Sequence, residues 1–249
     1  MSKTLLSAKN ITRRFGGLVA IDRVSVDLNQ GSVHAVIGTN GAGKSTLVSV
    51  LSGEIPPNEG NITMLDKDIT RWPQPDRARA GLGRSYQRTT IFPSLSVHEN
   101  CRISAQSNHQ KFWSWAFPAS KCTYSNEAAD RALELAGLAE FADRPAGLLS
   151  HGGKRQLEIA MCLATHPKVL LLDEPLAGMG AEETDRMLNL LDSLKKEHAI
   201  LLVEHDMDAV FRISDEITVM VNGCVIAHGD PESIRHNPDV QTAYLGEEE

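Results

Sequence analysis

Residues 33–53 read VHAVIGTNGAGKSTLVSVLSG. VHAVI (33–37) is a short, almost wholly apolar run, as expected of a strand covered on both faces. It passes directly into GTNGAGKST (38–46), and LVSVLSG continues helically to Gly53, with Pro56 and Pro57 beyond as stop signals. Strand, glycine-rich turn and helix in that order open a phosphate-binding α/β unit. GTNGAGKS (38–45) fits G-x-x-x-x-G-K-[ST]. The glycines let the backbone wrap a phosphate chain with N–H groups pointing inward, and the helix start near Lys44 adds its positive dipole end. The cradle then comprises Gly38, Thr39, Asn40, Gly41, Ala42, Gly43 and Thr46. Lys44 is expected to hold the β- and γ-phosphates, and the Ser45 hydroxyl to ligate Mg²⁺.

Moving outward, VLLLDEP (169–175) sets two adjacent carboxylates at the end of a second buried strand. In open α/β sheets ligands bind there. Asp173 is expected to hold Mg²⁺ through water and Glu174 to polarise an attacking water. Three further features fall in order around these two motifs. Gln87 ends the strand-like LGRSYQ (82–87), LSHGGKRQ (149–156) opens a helix, and His205 follows the buried strand ILLVE (200–204).

The rest of the chain frames them. The first stretch alternates loosely, with VSVDL (24–28) as a strand, and 60–72 reads as short strands and turns. A helical segment falls near 75–80. From about 95 to 166 the texture is helical, with Ser125-Asn126 expected to cap a helix that Gly137 ends. Phe112, Trp113, Trp115 and Phe117 cluster there and read as a packed helical core. After Pro167 the α/β rhythm returns: a helix over 181–197, then a hairpin over 217–229 turning on Asn222-Gly223. Asp230-Pro231 and Asn237-Pro238 each read as an N-cap followed by proline, and the final three glutamates as a solvated tail. Arg71, Arg77, Arg79, Arg84 and Arg88 read as a solvated basic face.

Composition sets the outer limits. The 249 residues carry 25 Lys+Arg against 32 Asp+Glu, a net charge of −7, so nucleic acid is not the expected partner. No uncharged apolar run approaches the ~20 residues of a membrane helix. The start, MSKTLLSAKNITRRF, lacks an apolar h-region and cleavage site, so export is not expected. Four cysteines form no CxxC pair, and nine histidines form neither HExxH nor a zinc spacing.

The ordered set resembles the nucleotide-binding subunit of an ABC transporter. GTNGAGKST looks like its Walker A, Gln87 its Q-loop glutamine, LSHGG its signature, VLLLDE its Walker B and His205 its switch histidine. The likeness runs from about residue 5 to 246. The final third, from LLLDEPLAGMGAEET to NPDVQTAYLG, is similar to the branched-chain amino acid importer branch, which a urea-importing branch also resembles. Two departures stand out. LSHGG carries His151 and Gly153 where the family has LSGGQ, and Gly180 follows Walker B where many relatives carry Asp.

The resemblance implies a single domain over 1–249. It would have a RecA-like P-loop core, an N-terminal antiparallel β subdomain, an inserted helical subdomain over about 90–165 and a C-terminal extension over about 230–249. It implies ATP and Mg²⁺, with Gln87 sensing both γ-phosphate and metal, His205 on the γ-phosphate and Phe15 against adenine, although Phe15 taken alone reads equally as a core aromatic. It implies a head-to-tail dimer with a second ATP-binding subunit, identical or paralogous, in which Ser150 and Gly152 touch the facing subunit's γ-phosphate. Transmembrane permease subunits and, indirectly, a solute-binding protein complete the set, placing the chain peripherally on the cytoplasmic face of the inner membrane. The alternatives are a urea or amide importer ATPase, or an ABC-type switch acting on ribosomes or DNA. A small-molecule kinase leaves LSHGG and His205 without a role.

Overall fold

A computed structural model describes residues 3–87, 90–109 and 122–245. Two sheets organise it. β1 (Thr4–Phe15), β2 (Leu18–Asn29), β4 (Glu59–Met64) and β5 (Lys67–Asp68) form an antiparallel sheet in the order β2-β1-β4-β5. A six-stranded sheet runs β10-β9-β3-β8-β7-β6. It comprises β3 (Val33–Gly38), β6 (Leu82–Arg84), β7 (Val169–Asp173), β8 (Ala199–Val203), β9 (Glu216–Val221) and β10 (Cys224–Gly229). Its inner pairings are all parallel, and β10 alone is antiparallel to β9.

The central strands are apolar on both faces because each face has its own cover. Val169 and Leu171 of β7, with Ala199, Leu201 and Val203 of β8, point towards α1 (Lys44–Ser52) and the antiparallel sheet. Leu170, Leu172, Ile200 and Leu202 point the other way, into the helices. The period of two is that of the extended backbone. α1 is thus enclosed between the two sheets, with Leu47, Val48, Val50 and Leu51 fully buried.

Between β6 and β7 come α2's successors α3 (Val97–His109), α4 (Thr123–Leu135) and α5 (His151–Leu163), where α2 is Gln74–Arg79. They pack with α6 (Ala181–Lys195) into one cluster through Cys101, Ala129, Leu133, Leu157 and Leu191. α7 (Met207–Ile213), α8 (Pro231–Arg235) and α9 (Pro238–Leu245) cover β3, β9 and β10. Asp230 caps α8 through the Ser233 N–H, and Asn237 accepts from the Asp239 and Val240 N–H groups at the start of α9. The β9–β10 turn has positive φ at both Asn222 and Gly223, as a type I′ hairpin requires.

Several expectations are corrected. β2 begins at Leu18, six residues before VSVDL, and β6 stops at Arg84. α4 begins at Thr123, and Ser125 donates back to the Cys122 carbonyl from inside the first turn. Arg77 is fully buried: it donates to the carbonyls of Val50, Leu51, Thr70 and Trp72, closing the carboxyl end of α1. The Arg84 side chain is 9% exposed, held against Ser52 and Glu54, whereas Arg79 is exposed beside Asp76. The Trp/Phe cluster at 112–117 and Arg88 lie outside the described residues.

Candidate functional site

Parallel pairing places the chemistry on one edge. Val203 of β8 lies in register with Val36 of β3 on one side and Asp173 of β7 on the other. The loop after β3 and the carboxylates after β7 therefore stand two strand spacings apart, about 10 Å. β6 joins next to β7 and delivers Gln87 to the same carboxyl edge. β8, read from sequence as the buried strand 200–204 without a position in the sheet order, is thus the spacer between the two principal motifs.

The loop itself is held in shape by sterics. Gly43 has φ +99, and a Cβ there would lie 2.4 Å from the Ala20 carbonyl oxygen; one on Gly38 would lie 2.1 Å from that of Met220. The β9–β10 turn abuts the loop, its Gly223 N–H donating to Ala42 O at 3.0 Å and its carbonyl accepting from the Asp22 N–H at 2.8 Å. Lys44 is buried, with Nζ donating to Gly38 O at 2.6 Å and Thr39 O at 2.9 Å. Its ammonium is therefore folded into the concavity of the loop.

Asp173 ends β7 with 3% exposure. Its N–H donates to Ser85 Oγ, and its Oδ1 is a buried acceptor with no hydrogen-bond donor among the described residues. Burial, and then the adjacent Glu174, push the Asp173 carboxyl above its ordinary range, partly offset by Arg84, Lys44 and Arg155. A divalent cation on Oδ1 would satisfy the oxygen and offset both effects. The Ser45 hydroxyl, the Gln87 amide and this carboxylate are hard oxygen donors, a set that fits Mg²⁺ completed by substrate phosphate.

Glu174 adopts φ +52, a left-handed conformation unusual for a residue with a side chain. Its N–H continues the sheet pairing by donating to Val203 O at 2.9 Å, and its Oε2 accepts from Gln87 Nε2 at 3.2 Å. The strained turn lifts the carboxylate out of the sheet towards Gln87.

A cleft of ≈ 500 Å³ gathers Phe15, Asn40 through Thr46, Gln87 and Glu174. Phe15 is 45% exposed and forms part of this wall, with the Arg13 guanidinium 4.6 Å from its ring, so it is not a core aromatic. Leu18 and Val19, exposed on the neighbouring strand, extend the apolar wall, and Asn222 closes one end. No sequence signal marked Leu18 or Val19, because β2's exposed start has no alternating pattern, and Asn222 was marked only as a turn residue. His205 stands outside the cleft lining on the same sheet edge, its side chain 66% exposed and Nδ1 3.8 Å from Glu204. Ser150 and Gly152 also lie outside it, at the start of α5.

Two buried groups were missed by sequence reasoning. Glu204 is 1% exposed and accepts from the Leu176 N–H at 2.7 Å, so it shapes the loop after Glu174; burial raises its pKa. Arg155 of α5 donates to the carbonyls of Tyr86 and Gln87, while Glu158, paired with it at 2.8 Å, accepts from the Thr90 N–H. The helix that opens with LSHGG thereby holds both ends of the loop carrying Gln87.

Strand order, glycine loop and paired acids define a P-loop nucleotide-binding α/β protein. A family model described as ABC transporter matches residues 21–177, and another, described as branched-chain amino acid ATP-binding cassette transporter, matches residues 224–249. The chain belongs to the ABC transporter ATP-binding family. It is 42% identical to the high-affinity branched-chain amino acid transport ATP-binding protein LivG of Salmonella typhimurium, over 99% of this chain and 100% of that protein. Identity to LivG of Escherichia coli K12 is 41% over the same shares. Among solved structures, a nucleotide-free ATP-binding cassette from an ABC transporter superposes with TM-score 0.88 at 32% identity, covering 97% of this chain and 99% of that one. The ADP conformation of an ATP-binding cassette of an ABC transporter superposes with TM-score 0.87 at 32% identity, covering 98% and 100%.

Proposed function

We propose that this chain hydrolyses ATP to drive import of a small polar solute, a branched-chain amino acid first among them. The observation that carries the reading is the convergence of Lys44, Ser45, Gln87 and Glu174 on one cleft beside the buried, unsatisfied Asp173. The curated relatives named for branched-chain amino acid transport, together with the match over residues 224–249, support the solute class.

Phosphoryl transfer to water asks little covalent work of a protein, so positioning and charge dominate. The N–H groups of residues 40–46 receive the phosphates, and Lys44 exchanges its loop carbonyls for β- and γ-oxygens. Ser45, Gln87 and Asp173 would hold Mg²⁺, which would neutralise phosphate charge. Glu174 orients the attacking water and draws its proton, and the Gln87 amide keeps that carboxylate aimed. His205 donates to the γ-phosphate from the end of β8. Phe15, with Leu18 and Val19 beside it, gives adenine an apolar wall.

The site is completed by a second cassette, identical or paralogous, closing head to tail, so that its Ser150 and Gly152 meet the γ-phosphate bound here. No helix among the described residues is long and apolar enough to cross a membrane, and the reading assigns that path to permease chains, with this chain peripheral on the cytoplasmic face. A groove of ≈ 240 Å³ lined by Gln74, Arg84, Tyr86, Ser104 and Met161 lies beside the loop of Gln87 and suits a permease segment. Through Arg155 and Glu158, movement of that loop is shared with α5.

Glu174→Gln tests the assignment. It is expected to bind ATP normally, lose turnover by about 100-fold or more and accumulate the closed dimer. Turnover at the parent rate would remove Glu174 from the role.

A further inference from the structure

α5 has thirteen residues, and Ser150 caps it by accepting the Gly153 N–H at 3.1 Å. The same hydroxyl donates to Glu183 Oε1 at 2.8 Å. Glu183 belongs to the first turn of α6. Its carboxylate lies directly on Gly152: a Cβ there would come within 2.6 Å of Cδ and 2.7 Å of Oε1. The Ser150 hydroxyl, and then the N–H groups of Gly180 and Gly152, hold the Glu183 carboxyl below its usual range, so it is an anion at neutral pH. A second tether joins the same two segments, since His151 Nε2 lies 2.9 Å from the Ala177 carbonyl oxygen.

An anion is therefore already seated against a hydroxyl and a glycine at the positive end of α5. Those are the groups that the proposed function gives to the facing subunit's γ-phosphate, and the inference rests on that reading. We propose that Glu183 is an internal stand-in for this phosphate: in the open subunit its carboxylate occupies the seat, and dimer closure proceeds by exchange of one anion for the other.

The chemistry follows from charge and reach. Two anions do not share a seat built from one hydroxyl and one or two N–H groups, because each oxygen needs those donors and the charges repel. Glu183 hangs from a flexible side chain at the surface and has solvent to move into. Gly152 serves both occupants, since a side chain there would bar either. Glu183 thus sets how much nucleotide is needed to close the pair and keeps the Ser150 donor organised while it waits.

The test uses the assembled cassette pair carrying Glu174→Gln, with the closed dimer followed by sedimentation as ATP is titrated. Adding Glu183→Gln or Glu183→Ala is expected to lower the ATP midpoint of closure by about fivefold or more. The amide variant keeps the shape of the side chain, so it reports even if the alanine variant folds poorly. If Glu183 served only to tie α5 to α6, its variants would lower the melting temperature and leave the ATP midpoint unchanged or raised, which overturns the proposal. Ser150→Ala separates the two readings. Impaired closure by Ser150→Ala with an unmoved Glu183 midpoint removes the stand-in alone. Normal closure by Ser150→Ala removes the head-to-tail reading, and the stand-in with it.

Discussion

Gly43 shows how a single hydrogen atom in place of a side chain shapes the site. Its φ of +99 and the Ala20 carbonyl 2.4 Å from a notional Cβ leave no room for alanine without moving β2 or the loop. Gly43→Ala is expected to weaken ATP binding by about tenfold or more, measured by titration calorimetry, with the fold retained. His34 is a residue of another kind. It is buried between the Asp27 carbonyl at 3.0 Å and Thr218 Oγ1 at 2.8 Å, with Glu216 at 3.4 Å and His228 stacked on it. Nδ1–H donates to the carbonyl, so Nε2 is left to accept from Thr218, and the neutral ring satisfies both contacts. Burial lowers its pKa to about 4 from 6.5. The unfolded chain therefore binds the extra proton first as pH falls. This group's contribution is complete above pH 6.5 and is lost on the way down to about 4, amounting to about 3 kcal/mol. Denaturant midpoints of the parent and of His34→Gln, compared across that window, should show a shallower acid loss in the variant.

At the level of elements, the helix that carries Lys44 is fastened at its far end by Arg77. Four carbonyls from two segments converge on one guanidinium, and burial brings its pKa down to about 10. The last carbonyls of a helix lack partners within it; Val50 O also accepts the Gly53 N–H at 3.2 Å, and Arg77 supplies a donor to Leu51 O in the core. Arg77→Ala is expected to cost about 2–4 kcal/mol, read as a fall in the denaturant midpoint. A basic residue in a polar stretch carries no mark of this role, because the decisive carbonyls belong to α1, 27 residues away in the chain. The glycine loop, by contrast, was legible from its own residues: its turn geometry is local, and GTNGAGKST contains every group that shapes it. Phe15 falls between these cases. Its aromatic character was visible, but whether it faced the core or the cleft depended on how β1 and β2 sit against α1.

For the whole molecule, nucleotide in the cleft would tie together segments from both sheets, so binding should be visible as global stability. With ATP at a hundred times its dissociation constant the folded state gains about 2.7 kcal/mol. For a chain of this size that corresponds to roughly 5–10 °C in melting temperature. Scanning calorimetry with ATP and Mg²⁺ should show this rise, and on the proposed function EDTA should reduce it, because Asp173 Oδ1 would again lack a partner among the described residues. An ATP-induced shift indifferent to EDTA would remove Asp173 and Ser45 as metal ligands. The −7 net charge does not oppose this binding, since on the proposed function the phosphates would meet a local cradle of N–H groups and one ammonium, not the average field of the molecule.

By itself the amino-acid sequence determined the order of the motifs, the two-faced burial of the central strands, the type I′ hairpin and the proline-started helices at the end. These follow from backbone preferences and from periodicities of two and 3.6, which act over a few residues. Only the tertiary structure decided that β8 stands between β3 and β7, that Arg77 is buried, that Glu204 shapes the loop after Glu174, and that the Glu183 carboxylate rests on Ser150, 33 residues earlier. Each is a partnership between segments far apart in the chain. Such a partner is selected by the packing of the whole, so no stretch read alone contains it.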